Sequence, residues 1–234
     1  MNVGLDSYSR NARLKPALLT VLPAAWTIMA WSPGHGVGWG GLWAMFVVAG
    51  GTLLLSQIGR DQGKRKENEL FDMFGGRPSE RFLSHEGAVN KTLLAQRHTK
   101  LRTLLPDVRI PTADEERRAP AQAHETYSAC VDFLISRTRA DQLLFQENVN
   151  DGFRRNLWGL KPLGIIVSLG SSMALGSRLY LDFTTHSAIA PLIVSFEALN
   201  VLMVATWVWW ITPRWVMLPS RAYADRLLEA LDRM

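Results

Sequence analysis

A single carboxylate stands inside a hydrophobic segment of this 234-residue sequence. Glu197, with Asn200 three residues later on the same helical face, falls in the apolar run from about Ala188 to Ile211. An acid in hydrocarbon is costly; it serves an ion or proton pathway, or it bonds a neighbouring helix. In a homo-oligomer, one such acid per subunit would form a ring of carboxylates around a central pore. The second set of candidates is cationic: Arg60, Lys64, Arg97, Arg137, Arg139, Arg154 and Arg155. Guanidinium and ammonium groups hold phosphates by charge-assisted hydrogen bonds, so this set points to a nucleotide or nucleic-acid ligand. Two plainer roles stay open beside that one. The groups at Arg60–Lys66 and Arg154–Lys161 would also set membrane topology and touch anionic headgroups. Arg137 or Arg139 would also pair with Asp132 or Asp141. Being two apart, these two arginines do not share a helix face and would not aim at one phosphate.

Other chemistry is poorly supported. Gly59-Arg60-Asp61-Gln62-Gly63-Lys64 is one residue short of a phosphate loop, lacks the following Ser or Thr, and follows no strand. His85-Glu86 and His124-Glu125 lack a second histidine at ligand spacing, so no metal is expected. Ser195 lies near Glu197 but has no histidine partner or Gly-x-Ser-x-Gly setting. The lone cysteine, Cys130, excludes an intrachain disulfide and reads as a small buried residue. No catalytic group and no cofactor is expected, and the chain does not read as an enzyme.

The elements that would position these residues are helices in two classes. Hydrophobic residues make up 47% and charged residues 20% of the chain, but they are segregated rather than mixed. Four runs suit a hydrocarbon core of about 30 Å, which takes about 20 helical residues. They are about Leu14–Trp31, Val37–Ile58, Leu157–Tyr180 with Lys161-Pro162 near its start, and Ala188–Ile211. Short links, Ser32–Gly36 and Leu181–Ser187, make each pair a hairpin. Trp31, Trp39, Trp158, Trp207, Trp209, Trp210 and Trp215 cluster near the ends as interfacial aromatics do. Glycines in the second and third runs, from Gly36 to Gly51 and from Gly164 to Gly176, favour close helix packing.

Basic residues orient the hairpins. Arg10, Arg13 and Lys15 precede the first run, a dense set separates the second from the third, and Arg214, Arg221, Arg226 and Arg233 follow the fourth. The short links carry only Arg178. By the positive-inside rule both termini and the middle domain are cytoplasmic. The domains expected are an N-terminal transmembrane hairpin (1–58), a basic helical cytoplasmic domain (59–156), a C-terminal hairpin (157–213) and a cytoplasmic tail (214–234). Within the middle domain, Gly75-Gly76-Arg77-Pro78 breaks the chain and Asn90 caps a helix reading KTLLAQRHTKL. Thr112 and Glu115 make a capping box. A helix over about Ala121–Gln146 buries a face containing Tyr127, Cys130, Val131 and Leu134, and Asn148–Gly152 ends it. No alternating β-branched run is found, so the chain reads as all-α.

Several strings occur together: GRDQGKRKENELF (59–71), FGGRP (74–78), LLAQRHTKL, ISRTRADQLLFQEN (135–148) and NDGFRRNLWGLKPLG (150–164). They resemble a family of small four-span bacterial membrane effectors found in anti-phage defence operons, of the kind represented in the Hailong system. The resemblance covers about Gly59–Gly164. It implies a homo-oligomer, a tetramer, that works as a ligand-gated ion channel. It also implies a partner nucleotidyltransferase, encoded in the operon, that makes short DNA oligomers. Those oligomers would bind the cytoplasmic basic residues and hold the channel shut. A non-conducting membrane scaffold or receptor for a cytoplasmic partner is the alternative.

Overall fold

The computed structural model describes residues 7–31 and 39–234. The expected link Ser32–Gly36, with Val37, Gly38 and the Trp39 side chain, lies outside the described residues. All regular structure among the described residues is helical. The order is α1 (Ser9–Trp31), α2 (Trp39–Arg65), α3 (Glu67–Met73), α4 (Pro78–Arg81) and α5 (Lys91–Leu104). Then come α6 (Ala113–Arg118), α7 (Pro120–Arg137), α8 (Gln142–Thr184), α9 (Pro191–Trp210) and α10 (Pro213–Arg233). Four stretches are long and apolar enough to cross a membrane: Ser9–Trp31, Gly41–Arg81, Gln142–Thr184 and Pro191–Trp210. This is the segregation of charge from hydrocarbon read in the sequence.

The chain divides into two compact units. The first comprises Met1–Glu67 and Gly152–Val216. Here α1 packs along α2, and α9 packs against α1. Gly59, Gly63 and Gly159 bring the backbones of α2 and α8 together: a Cβ on Gly159 would lie 2.6 Å from the amide nitrogen of Gly63. A buried amide ties the same region to α1, since Asn156 Nδ2 donates to the Ala12 carbonyl at 2.7 Å. That carbonyl lies in the π-helical first turn of α1 (Ser9–Leu14), where the widened turn alters the usual pairing. Leu42, Trp43, Met45, Phe46, Leu53 and Leu54 on α2 are all more than half exposed. An apolar face of this extent suits lipid rather than water.

The second unit comprises Asn68–Asp151 and Met217–Met234. Its core includes Leu83, Leu101, Val131, Leu134, Leu227 and Leu231, each fully buried. Burying one such side chain contributes about 1.5–3 kcal/mol. The helix starts obey local capping rules. Asn90 Oδ1 accepts from the Leu93 amide at 3.0 Å, opening α5. Thr112 and Glu115 form the reciprocal capping box of α6. Backbone and side-chain hydrogen bonds from Thr112 hold the Glu115 carboxyl below its usual range.

Several local expectations need correction. The helix anticipated over about Ala121–Gln146 is two helices, because α7 stops at Arg137 and α8 begins at Gln142. Asp141 makes the second start, its Oδ1 accepting from the Leu143 and Leu144 amides at 2.9 and 3.2 Å. Asn148–Gly152 does not end a helix, and Lys161-Pro162 does not interrupt one: α8 runs unbroken for 43 residues. Gly152 is there for contact, since a Cβ would fall 2.6 Å from the Tyr8 hydroxyl. Two of the supposed interfacial tryptophans are buried: Trp158 at 7% and Trp207 at 1% exposure. Lys66 lies over the Trp158 ring, and Trp207 covers Gly164. Residues after Pro213 are helical, and α10 supplies Leu227, Leu228 and Leu231 to the second unit's core.

Candidate functional site

Within the first unit, the acid of the apolar helix α9 sits in a small polar cluster shared by three helices. Ser172 on α8 donates through its hydroxyl to Glu197 Oε1 on α9. Trp26 Nε1 on α1 donates to Asn200 Oδ1 at 2.6 Å. Trp26 also stacks on Phe196, with ring centroids 6.2 Å apart. Both rings pack against a small apolar core of Ala30, Leu175 and Ile193. Asn200 is completely buried. Glu197 and Asn200 thus both bond other helices, as three-residue spacing on one face permits.

Each of these two residues still has one atom unused. Glu197 Oε2 and Asn200 Nδ2 are buried and lack a hydrogen-bond partner among the described residues. Ser168 Oγ and Thr27 Oγ1 share that condition. A buried donor or acceptor without a partner costs about 1–3 kcal/mol. The cluster therefore has spare hydrogen-bonding capacity for water, an ion or a rearranged neighbour.

The seven cationic candidates fall into both units, and several already serve protein partners. In the first unit, Lys64 Nζ and Arg155 Nη1 meet the same carboxylate, Glu67, at 2.7 and 2.6 Å. The Glu67 side chain is only 8% exposed. Arg154 Nη1 donates to the Trp215 carbonyl at 2.9 Å, and its guanidinium lies 4.5 Å from the Trp215 ring centroid. Arg60 is exposed on α2. In the second unit, Arg97 forms a two-pronged pair with Asp232, at 3.2 and 2.9 Å. Neighbouring Lys100 donates to the Leu231 and Asp232 carbonyls, closing the C-terminus of α10. Arg137 lies over Phe133 at the end of α7, and Arg139 is exposed beyond it. Within the first unit the structure thus joins Lys64 with Arg155 on Glu67.

Three residues that matter here escaped sequence reasoning: Glu67, Ser172 and Trp26. For Glu67 a signal existed, because Lys64 precedes it by three residues on a helical pattern. Trp26 is 174 residues from its partner, and nothing local marks the pair. Among the described residues, no group of His, Cys, Asp or Glu side chains is arranged to hold a metal ion. No protein-family model, no curated protein and no solved structure matches this chain.

Proposed function

We propose that this chain is a gated membrane effector: an ion-conducting homo-oligomer controlled by an anionic nucleotide or nucleic acid at its charged helical unit. The supporting observation is the cluster of Glu197, Ser172, Asn200 and Trp26, which places polar groups with unused capacity inside apolar helices. In this reading the four spans form two hairpins, with both termini and the charged unit in the bacterial cytoplasm below the inner membrane. The oligomer is a tetramer acting in anti-phage defence. Its ligand is a short single-stranded DNA or nucleotide supplied by a partner nucleotidyltransferase, and the juxtamembrane arginines rest on anionic lipid.

The test is current through planar bilayers containing purified protein, with and without short single-stranded DNA. Ligand-dependent current that changes in cation selectivity with Glu197→Gln supports the reading. Absence of current under both conditions removes the channel. It would leave the second reading, a non-conducting membrane scaffold or receptor for a cytoplasmic partner. One observation favours that alternative: Asn200 is fully buried against Trp26, as in a contact made only for helix packing.

A further inference from the structure

The second unit contains an open cleft of about 960 Å³, walled by the Gly75–Arg77 turn, α4, the start of α5, α6 and α7. Its volume lies at the upper end of the range for small-molecule sites, about 300–1,000 Å³. Two of its acids are occupied with structural work. Glu116 accepts from the His85 amide at 2.9 Å, the Glu86 amide at 3.3 Å and the Tyr127 hydroxyl at 2.6 Å. Glu80, 6% exposed, faces His124 Nδ1 at 3.2 Å and Arg77 Nη1 at 3.5 Å.

The cations on the rim are differently placed. Arg81 spends one N–H on a neutral acceptor, the Phe74 carbonyl, so its charge is not compensated by that bond. Lys91 is exposed and has no hydrogen-bond or ion-pair partner among the described residues. Arg117 reaches Asp114, but both side chains are more than 70% exposed, so a stronger anion can displace that contact. The cleft is also lined by apolar side chains, of which Ala95 and Pro120 are exposed and Leu94 and Ala123 are buried. Glu86 is exposed at the edge.

We infer that this cleft binds a nucleoside phosphate, with Arg81, Lys91 and Arg117 on the phosphates and the base against the exposed Ala95 and Pro120. The juxtaposition fits both ends of such a molecule. The three lining cations take the phosphate oxygens by charge-assisted bonds. The apolar lining accepts a flat ring, and the Glu86 carboxylate accepts from a sugar hydroxyl or a base amine. The inference rests on the reading that the charged unit takes an anionic ligand, but it moves the site away from Arg60, Lys64 and Arg155. Those residues belong to the other unit, and two of them already share Glu67.

The experiment is equilibrium binding of ATP and of inorganic tripolyphosphate to the full-length protein in detergent, at several salt concentrations. ATP is expected to bind saturably and tighter than tripolyphosphate, which lacks a base. Lys91→Glu is expected to weaken ATP at least about tenfold, the loss of one charge-assisted bond. Arg81→Ala should do likewise, and Lys91→Glu covers the case in which Arg81→Ala disturbs the Gly75 turn. Ala95→Glu, at an exposed lining position, should weaken ATP more than tripolyphosphate. ATP binding unchanged in Lys91→Glu but lost in Arg60→Ala/Arg139→Ala would overturn the cleft while keeping an anion-controlled unit. Failure of the wild type to bind ATP at millimolar concentration would also overturn the cleft, whereas the bilayer currents decide the channel reading separately.

Discussion

Gly159→Ala is expected to separate α2 from α8 and destabilise the protein. The new Cβ would stand 2.6 Å from the Gly63 nitrogen, 3.0 Å from the Gly59 carbonyl oxygen and 3.1 Å from the Gln62 carbonyl carbon. Ordinary contact begins at 3.4 Å, so the nearest approach falls short by about 0.8 Å. All three atoms are backbone, which has no rotamer to change. Relief must come from moving one helix, in a crossing already filled by Asn156, Arg155 and Leu160. Overpacking of this kind costs about 1–3 kcal/mol. For a chain of this size each kcal/mol lowers Tm by about 2–4 °C, so a fall of about 2–12 °C is expected. The control is Gly176→Ala on the same helix, whose Cβ would meet nothing within 4 Å. Thermal unfolding in detergent, followed by circular dichroism or tryptophan fluorescence, reads both variants. If Gly159→Ala melts with Gly176→Ala, the helices are not in backbone contact and the packing described for this crossing is wrong.

Three further outcomes follow from particular contacts. Glu67→Ala leaves Arg155 without its main carboxylate and should cost about 1–3 kcal/mol, less than for a fully buried pair because Arg155 is 19% exposed; a double-mutant cycle with Arg155→Met should recover much of that loss in urea unfolding. Asn200→Leu deletes the bond from Trp26 and, since such bonds in membranes average about 0.6 kcal/mol, should lower Tm slightly and shift the Trp26 emission. The second unit should weaken on acidification through His98, which is 2% exposed and donates Nε2–H to the Leu83 carbonyl at 2.7 Å. Burial lowers its pKa below the ordinary 6.5. The unfolded chain therefore binds the proton first, so this contribution is full above about pH 6.5 and is lost as pH falls through the folded value. The urea midpoint followed by far-UV circular dichroism gives the readout: it should be lower at pH 5.5 than at 7.5, and His98→Gln should flatten the difference.

Composition revealed the helical spans because hydrocarbon enforces a pattern that no tertiary contact can disguise. The caps at Asn90 and Thr112 were equally plain, since the bonds involved reach only three residues. The same local reading failed at Gly152, where a glycine beside an aspartate resembles a helix stop. The cause is distant: Tyr8 and Ala12 occupy the space that a side chain at 152 would need. It also failed at Asp141, whose capping role is local but is marked by no glycine or proline. The cationic candidates were readable as charges and not as contacts. Sequence shows that Arg155 is basic; it does not show that Glu67, 88 residues away, meets it. Glu197 was visible as an anomaly because an acid in an apolar run is rare, whereas its donor Ser172 looks like any other small residue of a packed span.

The unused Oε2 of Glu197 and Nδ2 of Asn200 have an energetic meaning of their own. An unmet buried group costs about 1–3 kcal/mol, so a water, an ion or a neighbouring side chain that meets either atom is held there by a comparable amount.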